Sequence, residues 1–298
     1  MRKTQWAHTA LVLQNLLLGT TYTFGAWASV AFHPLVLTGL RMSGAAVIYL
    51  LIFSLTGGWQ QFRPTGREWR QIFLITLVGS VVNQILFVAG LRYTSPANSA
   101  LLYATTPLMV LLIAALWQRL EVLRLYKLLG VLISLAGVVL LLVLSGVVPS
   151  RVASAPLLGN VLTLGAVFCW SCYLAFSRPF LQRYKPWHFA SATMVLSALL
   201  FVPVSLFFFP QQDFAAVPRQ GWLGLASLIL FNSLASYFLF LFAMQYLRAS
   251  QAAIYINMQP VVAVFFSMLV LGDQPPVVFY VAAGMILCGI FLINYRQR

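Results

Sequence analysis

Residues 97–108 read ANSALLYATTPL, and a related segment, ASQAAIYINMQPV, occupies residues 249–261. The same offset of 153 residues relates further positions on either side: Trp69 to Trp222, Tyr93 to Tyr246, Ala100 to Ala253, and Pro107 to Pro260. After a one-residue deletion, Glu121 pairs with Asp273 and Gly137 with Gly289. Self-similarity at a fixed offset predicts two copies of one structural unit. We place the copies at residues 1–150 and 151–298.

The composition predicts that this duplicated unit lies in a membrane. The chain has 298 residues, of which 61% are hydrophobic and 7% charged, and its mean hydropathy is +0.91. A water-soluble domain carries about a quarter charged residues. So few charges cannot cover a soluble surface, and the lipid bilayer is therefore the predicted surroundings of an all-α integral membrane protein.

Ten apolar runs are long enough to cross about 30 Å of hydrocarbon as helices. We number them spans 1 to 10 and place them near residues 7–30, 35–56, 69–91, 96–117, 126–148, 157–177, 188–209, 222–246, 251–271 and 276–295. Thr65 and Glu68 fit a capping box before span 3, and Pro218 suits the first turn of span 8. Gly39 and Ser43 in span 2, and Gly130 and Gly137 in span 5, predict close helix approach.

Basic residues predict the orientation of the spans. With the N-terminus inside, the outer segments hold only Arg92, Arg151 and Arg219. The inner segments hold fourteen bases: Arg2, Lys3, Arg63, Arg67, Arg70, Arg119, Arg124, Lys127, Arg178, Arg183, Lys185, Arg248, Arg296 and Arg298. This excess predicts cytoplasmic termini, in a bacterial cytoplasmic membrane. The net charge of +14 does not indicate nucleic-acid binding, because the bases are scattered between apolar runs.

Five spans per copy would place the second copy upside down in the membrane. The charges agree, since the loop after span 4 holds Arg119, Arg124 and Lys127, whereas its counterpart after span 9 holds Asp273 and no base. Inverted repeats are typical of secondary transporters that alternate access around a site near the midplane. The predicted fold is therefore ten transmembrane helices in two inverted five-helix repeats.

The repeated segments also resemble a known family. The first copy continues from ANSALLYATTPL to Leu120-Glu121, Gly130 and Gly137, and the second from ASQAAIYINMQPV to Leu271-Gly272-Asp273, Gly284 and Gly289. The spacing of His33-Pro34, Arg41 and Ala45 is similar as well. Together they resemble the EamA-type branch of the drug/metabolite transporter superfamily, departing from it at Leu120 and Asp273. The resemblance implies a ten-helix exporter or exchanger of small metabolites, often amino acids, with a cavity lined by spans 1, 3, 4, 6, 8 and 9.

Polar residues within spans are costly in lipid and are expected to face a cavity or another helix. Gly79 and Asn83 in span 3 correspond to Asn232 and Ser236 in span 8, and each pair is one α-helical turn apart. In span 9, Gln251, Tyr255 and Gln259 are expected on one face, opposite Asn98, Leu102 and Thr106 in span 4. We predict substrate contacts from these two polar stripes and from neighbouring aromatic residues: Arg41, Asn83, Tyr103, Thr106, Trp170, Tyr173, Asn232, Ser236, Tyr255 and Gln259. Helix joining by the same side chains stays an alternative.

Arg41 lies seven residues after Pro34, about 10 Å below the outer end of span 2. Thr38, Gly44 and Ala45 share its face and are expected to leave room for a long side chain or a ligand. Its guanidinium could extend to the interface, bond to exposed backbone carbonyls, or attract an anionic substrate. The sequence alone leaves these three roles open.

The four carboxylates, Glu68, Glu121, Asp213 and Asp273, all fall in loops or at span ends. This argues against a mid-membrane carboxylate relay and favours facilitated diffusion, exchange or drive by the membrane potential. No cofactor or metal site is predicted.

The leading hypothesis is a carrier that exports or exchanges small metabolites, plausibly amino acids. An exchanger of anionic or phosphorylated metabolites is the alternative among carriers. A channel would need a continuous polar pore, and a membrane enzyme would need a catalytic set at depth, which the sequence does not contain. A receptor would normally carry a soluble domain, for which the short connections leave no room. The oligomeric state does not follow from the sequence.

Overall fold

The computed structural model describes residues 2–94, 96–144, 156–262, 265 and 277–294. Within these ranges the chain forms helices and turns, without β-strands. Eight of the described helices are long and apolar enough to cross a membrane, and they correspond to spans 2 to 8 and span 10. Their bounds are Pro34–Leu55, Gly66–Leu91, Ser99–Trp117, Leu125–Val143, Leu157–Arg183, Pro186–Phe207, Arg219–Tyr246 and Val277–Asn294.

The structure also describes helices in spans 1 and 9. Span 1 is the helix Arg2–Ala31. Span 9 begins as the short α-helix Ala249–Ala253 and continues as the 3₁₀ helix Ile254–Met258. Its predicted end and Asp273 lie outside the described residues. The count of ten transmembrane helices and the inversion of the second copy therefore stay predictions.

Local sequence signals fix several helix starts. The Thr65 hydroxyl accepts from Glu68 N at 3.3 Å, and a Glu68 carboxylate oxygen accepts from Thr65 N at 2.8 Å, which confirms the predicted capping box. Pro34 and Pro186 each occupy the first position of a helix, where the missing N–H costs nothing. Pro218 is the residue just before the helix Arg219–Ser227, so its predicted place in the first turn is off by one residue.

Contacts divide the chain into two compact units. Unit 1 comprises residues 1–84 and 176–246, which include spans 1, 2, 7 and 8. Unit 2 comprises residues 85–175 and 247–298, which include spans 4, 5, 9 and 10. Spans 3 and 6 each contribute to both units. Each unit therefore contains segments from both halves of the sequence. The division into two repeats at residues 1–150 and 151–298 concerns the duplication of the sequence and stays a prediction.

Small residues let helices approach closely within each unit. In unit 1, a Cβ added at Gly39 of span 2 would collide with the Ser205 side chain of span 7. In unit 2, a Cβ at Gly137 of span 5 would lie 2.8 Å from the Ala282 carbonyl oxygen of span 10. The predicted close approach at these glycines is confirmed, and both contacts lie within the monomer.

The packing of spans 5 and 10 yields a first prediction. A Cβ at Gly289 would meet the Gly130 carbonyl oxygen and would lie 2.6 Å from Ser134 Cβ. We expect Gly289→Ala to lower the unfolding free energy by about 1–3 kcal/mol through overpacking, measured by thermal unfolding in detergent. Gly284→Ala is the matched control, because nothing lies within 4 Å of a Cβ there. That change should be neutral or gain up to about 1 kcal/mol from helix propensity. Equal effects of the two substitutions would contradict the packing interpretation.

A buried ion pair holds three elements of unit 2 together. Lys127 Nζ lies 2.6 Å from a Glu121 carboxylate oxygen, and the two residues are only 1% and 6% exposed. The same carboxylate accepts from Ser250 Oγ at 2.6 Å and from Ser250 N at 3.2 Å. Glu121 follows span 4, Lys127 begins span 5 and Ser250 begins span 9. Glu121 therefore satisfies an N–H at the start of span 9 that has no partner within its own helix.

A second ion pair, in unit 1, is much more open to solvent. Arg183 Nη1 lies 2.6 Å from a Glu68 carboxylate oxygen, but the arginine side chain is 62% exposed. The Tyr184 hydroxyl donates to Glu68 at 3.2 Å. Burial and the neighbouring Glu68 carboxylate raise the pKa of the Tyr184 phenol. Exposed pairs of this kind contribute little to stability.

The contrast between the two ion pairs gives a second prediction. Glu121→Gln leaves a buried ammonium without its counterion, and we expect a loss of about 3–5 kcal/mol in unfolding free energy. The double variant Glu121→Gln with Lys127→Met should recover part of this loss, because no buried charge is left unpaired. Thermal unfolding of the single, double and Arg183→Gln variants checks this, with little change expected for the last. Additive losses in the double variant would show that Lys127 and Glu121 are not coupled.

Candidate functional site

Spans 3 and 8 share a helix distortion at equivalent positions. Span 3 is π-helical over Leu77–Val82, and span 8 over Leu228–Ser236. An offset of 153 residues carries the first segment onto residues 230–235, inside the second. π-Helical turns are rare and often occur at functional sites. Three predicted site residues, Asn83, Asn232 and Ser236, lie in these segments or directly after them.

The π-helices alter the predicted stripe of polar residues. Hydrogen bonds in a π-helix join residues i and i+5, so Asn232 and Ser236 are not stacked as they would be in an α-helix. Ser236 is buried and donates to the Gln14 carbonyl oxygen of span 1 at 3.3 Å. Asn232 is half-buried, and its amide makes no hydrogen bond to the described residues. Asn83 is buried.

Arg41 turns toward the π-helix of span 8 within unit 1. Its Nη1 donates to Ser233 Oγ at 2.9 Å, and Ser233 is 2% exposed. The expected open space beside Arg41 is not found at Gly44, because a Cβ there would lie 2.6 Å from Ile229 Cδ1 of span 8. Ala45 is fully buried. These small residues bring span 2 against span 8 and direct the guanidinium to Ser233.

A second side chain of span 2 also reaches the π-helix. The Tyr49 hydroxyl donates to the Leu234 carbonyl oxygen at 2.8 Å, and Tyr49 itself is buried. Ser191 of span 7 donates to the Tyr49 carbonyl oxygen at 2.9 Å. The sequence did not predict Tyr49 or Ser233. A tyrosine within a span is usually interpreted as a packing residue, and an α-helical period does not place Ser233 on the predicted polar stripe.

Span 1 adds a buried polar pair that the sequence analysis also missed. Asn15 Nδ2 donates to the Leu11 carbonyl oxygen at 2.8 Å and to Gln14 Oε1 at 3.0 Å. Asn15 Oδ1 is buried without a hydrogen-bond partner among the described residues. The signal was present in the sequence, since Gln14 and Asn15 interrupt an otherwise apolar run.

In unit 2, span 4 is broken ahead of Pro107. A turn separates Pro96–Tyr103 from the helix that begins at Thr106. Proline has no N–H to donate to the carbonyl four residues earlier. The Thr106 hydroxyl donates to that oxygen, on Tyr103, at 2.6 Å, and the Thr105 hydroxyl donates to Leu102 O at 2.6 Å. Thr106 thus satisfies the backbone, and the side chain of Asn98 lies outside the described residues.

Span 9 also departs from a regular α-helix. The 3₁₀ segment Ile254–Met258 has three residues per turn, so Gln251, Tyr255 and Gln259 do not share the predicted single face. Gln251 Oε1 instead accepts from Arg248 N at 3.0 Å and caps the helix start. Tyr255 is buried, whereas Gln259 is half-buried and its amide makes no hydrogen bond to the described residues.

The aromatic candidates of unit 2 make ring contacts. Trp170 and Tyr173 of span 6 stack with ring centroids 5.3 Å apart and planes 11° apart. Tyr103 makes an edge contact with Phe87 at 5.3 Å. Tyr173 is fully buried and Trp170 is half-buried. The structure thus brings together Trp170 with Tyr173 in unit 2, and Arg41 with the π-helix of span 8 in unit 1.

Comparisons with known proteins identify the family. The sequence profile of the EamA-like transporter family matches residues 5–143 and again residues 157–295. YyaM of Bacillus subtilis, an uncharacterized transporter, is 24% identical over 93% of this chain and 89% of its own length. YetK of the same organism, also an uncharacterized transporter, is 21% identical over 100% of this chain and 89% of its own. A WAT1-related protein of Arabidopsis thaliana is 23% identical over 75% of this chain and 67% of its own.

A solved crystal structure supports the fold. It aligns with a TM-score of 0.79 at 19% identity and covers 99% of this chain and 96% of that chain. Likeness at this level of identity concerns the fold alone. Because the family profile matches both halves of the sequence, and the described helices are of membrane-spanning length and composition, this chain is a multi-pass membrane protein that belongs to the EamA-like transporter family.

Proposed function

We propose that this protein is a secondary transporter that exports or exchanges small metabolites such as amino acids by alternating access across a bacterial cytoplasmic membrane. The observation that carries the proposal is the distortion of spans 3 and 8 at repeat-equivalent positions. Transporters commonly build their sites from interrupted helices whose polar groups face the substrate. The positive-inside charge pattern supports cytoplasmic termini.

The predicted polar site residues include some that already hydrogen-bond within the protein and others that do not. Thr106 and Ser236 donate their hydroxyl protons to backbone carbonyls. Asn232 and Gln259 are half-buried, and their amides make no hydrogen bonds to the described residues. We propose that these two amides contact the substrate directly. That the polar residues of the two units combine into one binding cavity stays a prediction.

Coupling to a proton gradient is not part of the proposal. Within the described residues, Glu121 is the buried carboxylate, and Lys127 neutralises it. Glu68 caps a helix start and pairs with Arg183. We propose that transport proceeds by facilitated diffusion, by exchange, or under the membrane potential. Uptake into proteoliposomes that follows an imposed pH gradient at zero potential would contradict this mechanism.

A counterflow assay tests the proposed function and its site. Proteoliposomes loaded with an unlabelled amino acid should take up the same labelled amino acid transiently above its external concentration. Asn232→Ala and Gln259→Ala should each weaken substrate binding about two- to tenfold, which corresponds to one hydrogen bond. Both variants should keep the wild-type melting temperature.

Gln60→Ala is the matched control for these amide substitutions. Gln60 is exposed and lies in the short helix Gly58–Gln61, away from the spans. Its substitution should leave counterflow unchanged. Counterflow that is equally impaired in all three variants would remove the specific role of Asn232 and Gln259. A conductance with no counterflow would instead identify a channel.

A further inference from the structure

We propose that Arg41 and Ser233 form an oxyanion subsite in unit 1, which binds a carboxylate or phosphate group of the transported molecule. The inference rests on the proposed transport function and names the substrate class that this site takes. Its basis is a guanidinium within a membrane span that forms no ion pair with a carboxylate among the residues that the structure describes.

Neither carboxylate of unit 1 pairs with Arg41. Residues 1–84 and 176–246 contain two carboxylates, Glu68 and Asp213. Glu68 lies at the start of span 3 and pairs with Arg183 at 2.6 Å. Asp213 lies in the loop before span 8, where its Oδ1 accepts from Ala215 N at 3.0 Å and Ala216 N at 3.3 Å. Neither of them pairs with Arg41. A charge held within a span without a counterion is costly and is typical of functional positions.

The hydrogen-bonding capacity at Arg41 is mostly unused. A guanidinium has five N–H donors in a planar fork that suits carboxylate and phosphate oxygens. One hydrogen bond, from Nη1 to Ser233 Oγ at 2.9 Å, is made to the described residues. Because Ser233 accepts in this bond, its own hydroxyl proton remains able to donate. The guanidinium and the hydroxyl therefore provide several donors at one place, which is the arrangement that an oxyanion needs.

The corresponding helix in the second half of the sequence carries no charge at this position. Spans 2 and 7 are helices of 22 residues that each begin with a proline, Pro34 and Pro186. Aligning these prolines places Thr193 at the position of Arg41. Thr193 is fully buried, and its hydroxyl donates to the Phe189 carbonyl oxygen of its own helix at 2.9 Å. The equivalent helix is thus built with a neutral residue, which favours a role for Arg41 beyond helix packing.

Thermal unfolding of purified full-length protein separates a ligand site from a structural brace. Arg41→Met removes the charge and keeps a long side chain. If Arg41 is part of an anion-binding site, this variant should match or exceed the wild-type melting temperature in chloride buffer, because a desolvated charge without a counterion has been removed. A structural brace predicts a lower melting temperature, and that result would overturn the proposal.

Anion titration at constant ionic strength gives the second readout. Acetate and inorganic phosphate, compared with chloride, should raise the wild-type melting temperature. The anion that gives the larger increase identifies the oxyanion class, carboxylate or phosphate. Arg41→Met should weaken this binding about ten- to hundredfold, and Ser233→Ala to a lesser extent. Arg41→Lys should retain part of it, since the charge remains without the fork. An identical response in wild type and Arg41→Met would overturn the subsite.

Tyr49→Phe is the matched control. It removes the other hydrogen bond from span 2 to the π-helix of span 8, at 2.8 Å to Leu234 O, and leaves every charge in place. It should lower the melting temperature and keep the anion response. Counterflow that persists in Arg41→Met without any anion response would reject the subsite and leave the transport proposal intact. An anion response without counterflow of any substrate would reject the transport proposal and leave the anion subsite intact.

Discussion

A backbone carbonyl inside a bilayer must find its hydrogen-bond donor within the protein, since no water is there to supply one. This constraint decides where the spans of the chain can depart from the α-helix. Span 4 breaks ahead of Pro107, where the Thr106 hydroxyl donates to the Tyr103 carbonyl in place of the missing proline N–H. Span 8 widens into a π-helix where the Tyr49 phenol reaches the carbonyl of Leu234 from a neighbouring helix. In spans 4 and 8 the irregular segments are thus held by specific side chains.

The two halves of the sequence share a backbone distortion but differ in the chemistry around it. Both spans 3 and 8 carry a π-helix at the same relative position. Of spans 2 and 7, a charged residue occurs in span 2 only, since Thr193 of span 7 occupies the position that corresponds to Arg41. The two halves therefore place unlike groups at corresponding positions.

Much of the fold could be predicted from the sequence, because long apolar runs, the capping box at Thr65 and close-packed glycines such as Gly137 are local signals. The site was less predictable. An assumed α-helical period placed Gln251, Tyr255 and Gln259 on one face, whereas the 3₁₀ segment of span 9 separates them. Glu121 was placed in a loop or at a span end, and its burial in contact with Lys127 and Ser250 was not predicted. The contact between Glu121 and Ser250 joins residues 129 positions apart, which no local pattern reports.

The interleaving of the two halves also constrains how the protein is synthesised. Arg41 and its hydrogen-bond partner Ser233 are 192 residues apart. At about 5–20 residues per second, translation needs roughly 10 to 40 seconds to bridge that gap. Throughout this interval span 2 already carries the Arg41 guanidinium, whereas span 8, which supplies its partner Ser233, has not yet been synthesised. Membrane insertion must therefore accommodate a hydrated arginine on a nascent helix, so the choice of residue at position 41 is limited by biogenesis as well as by the finished structure.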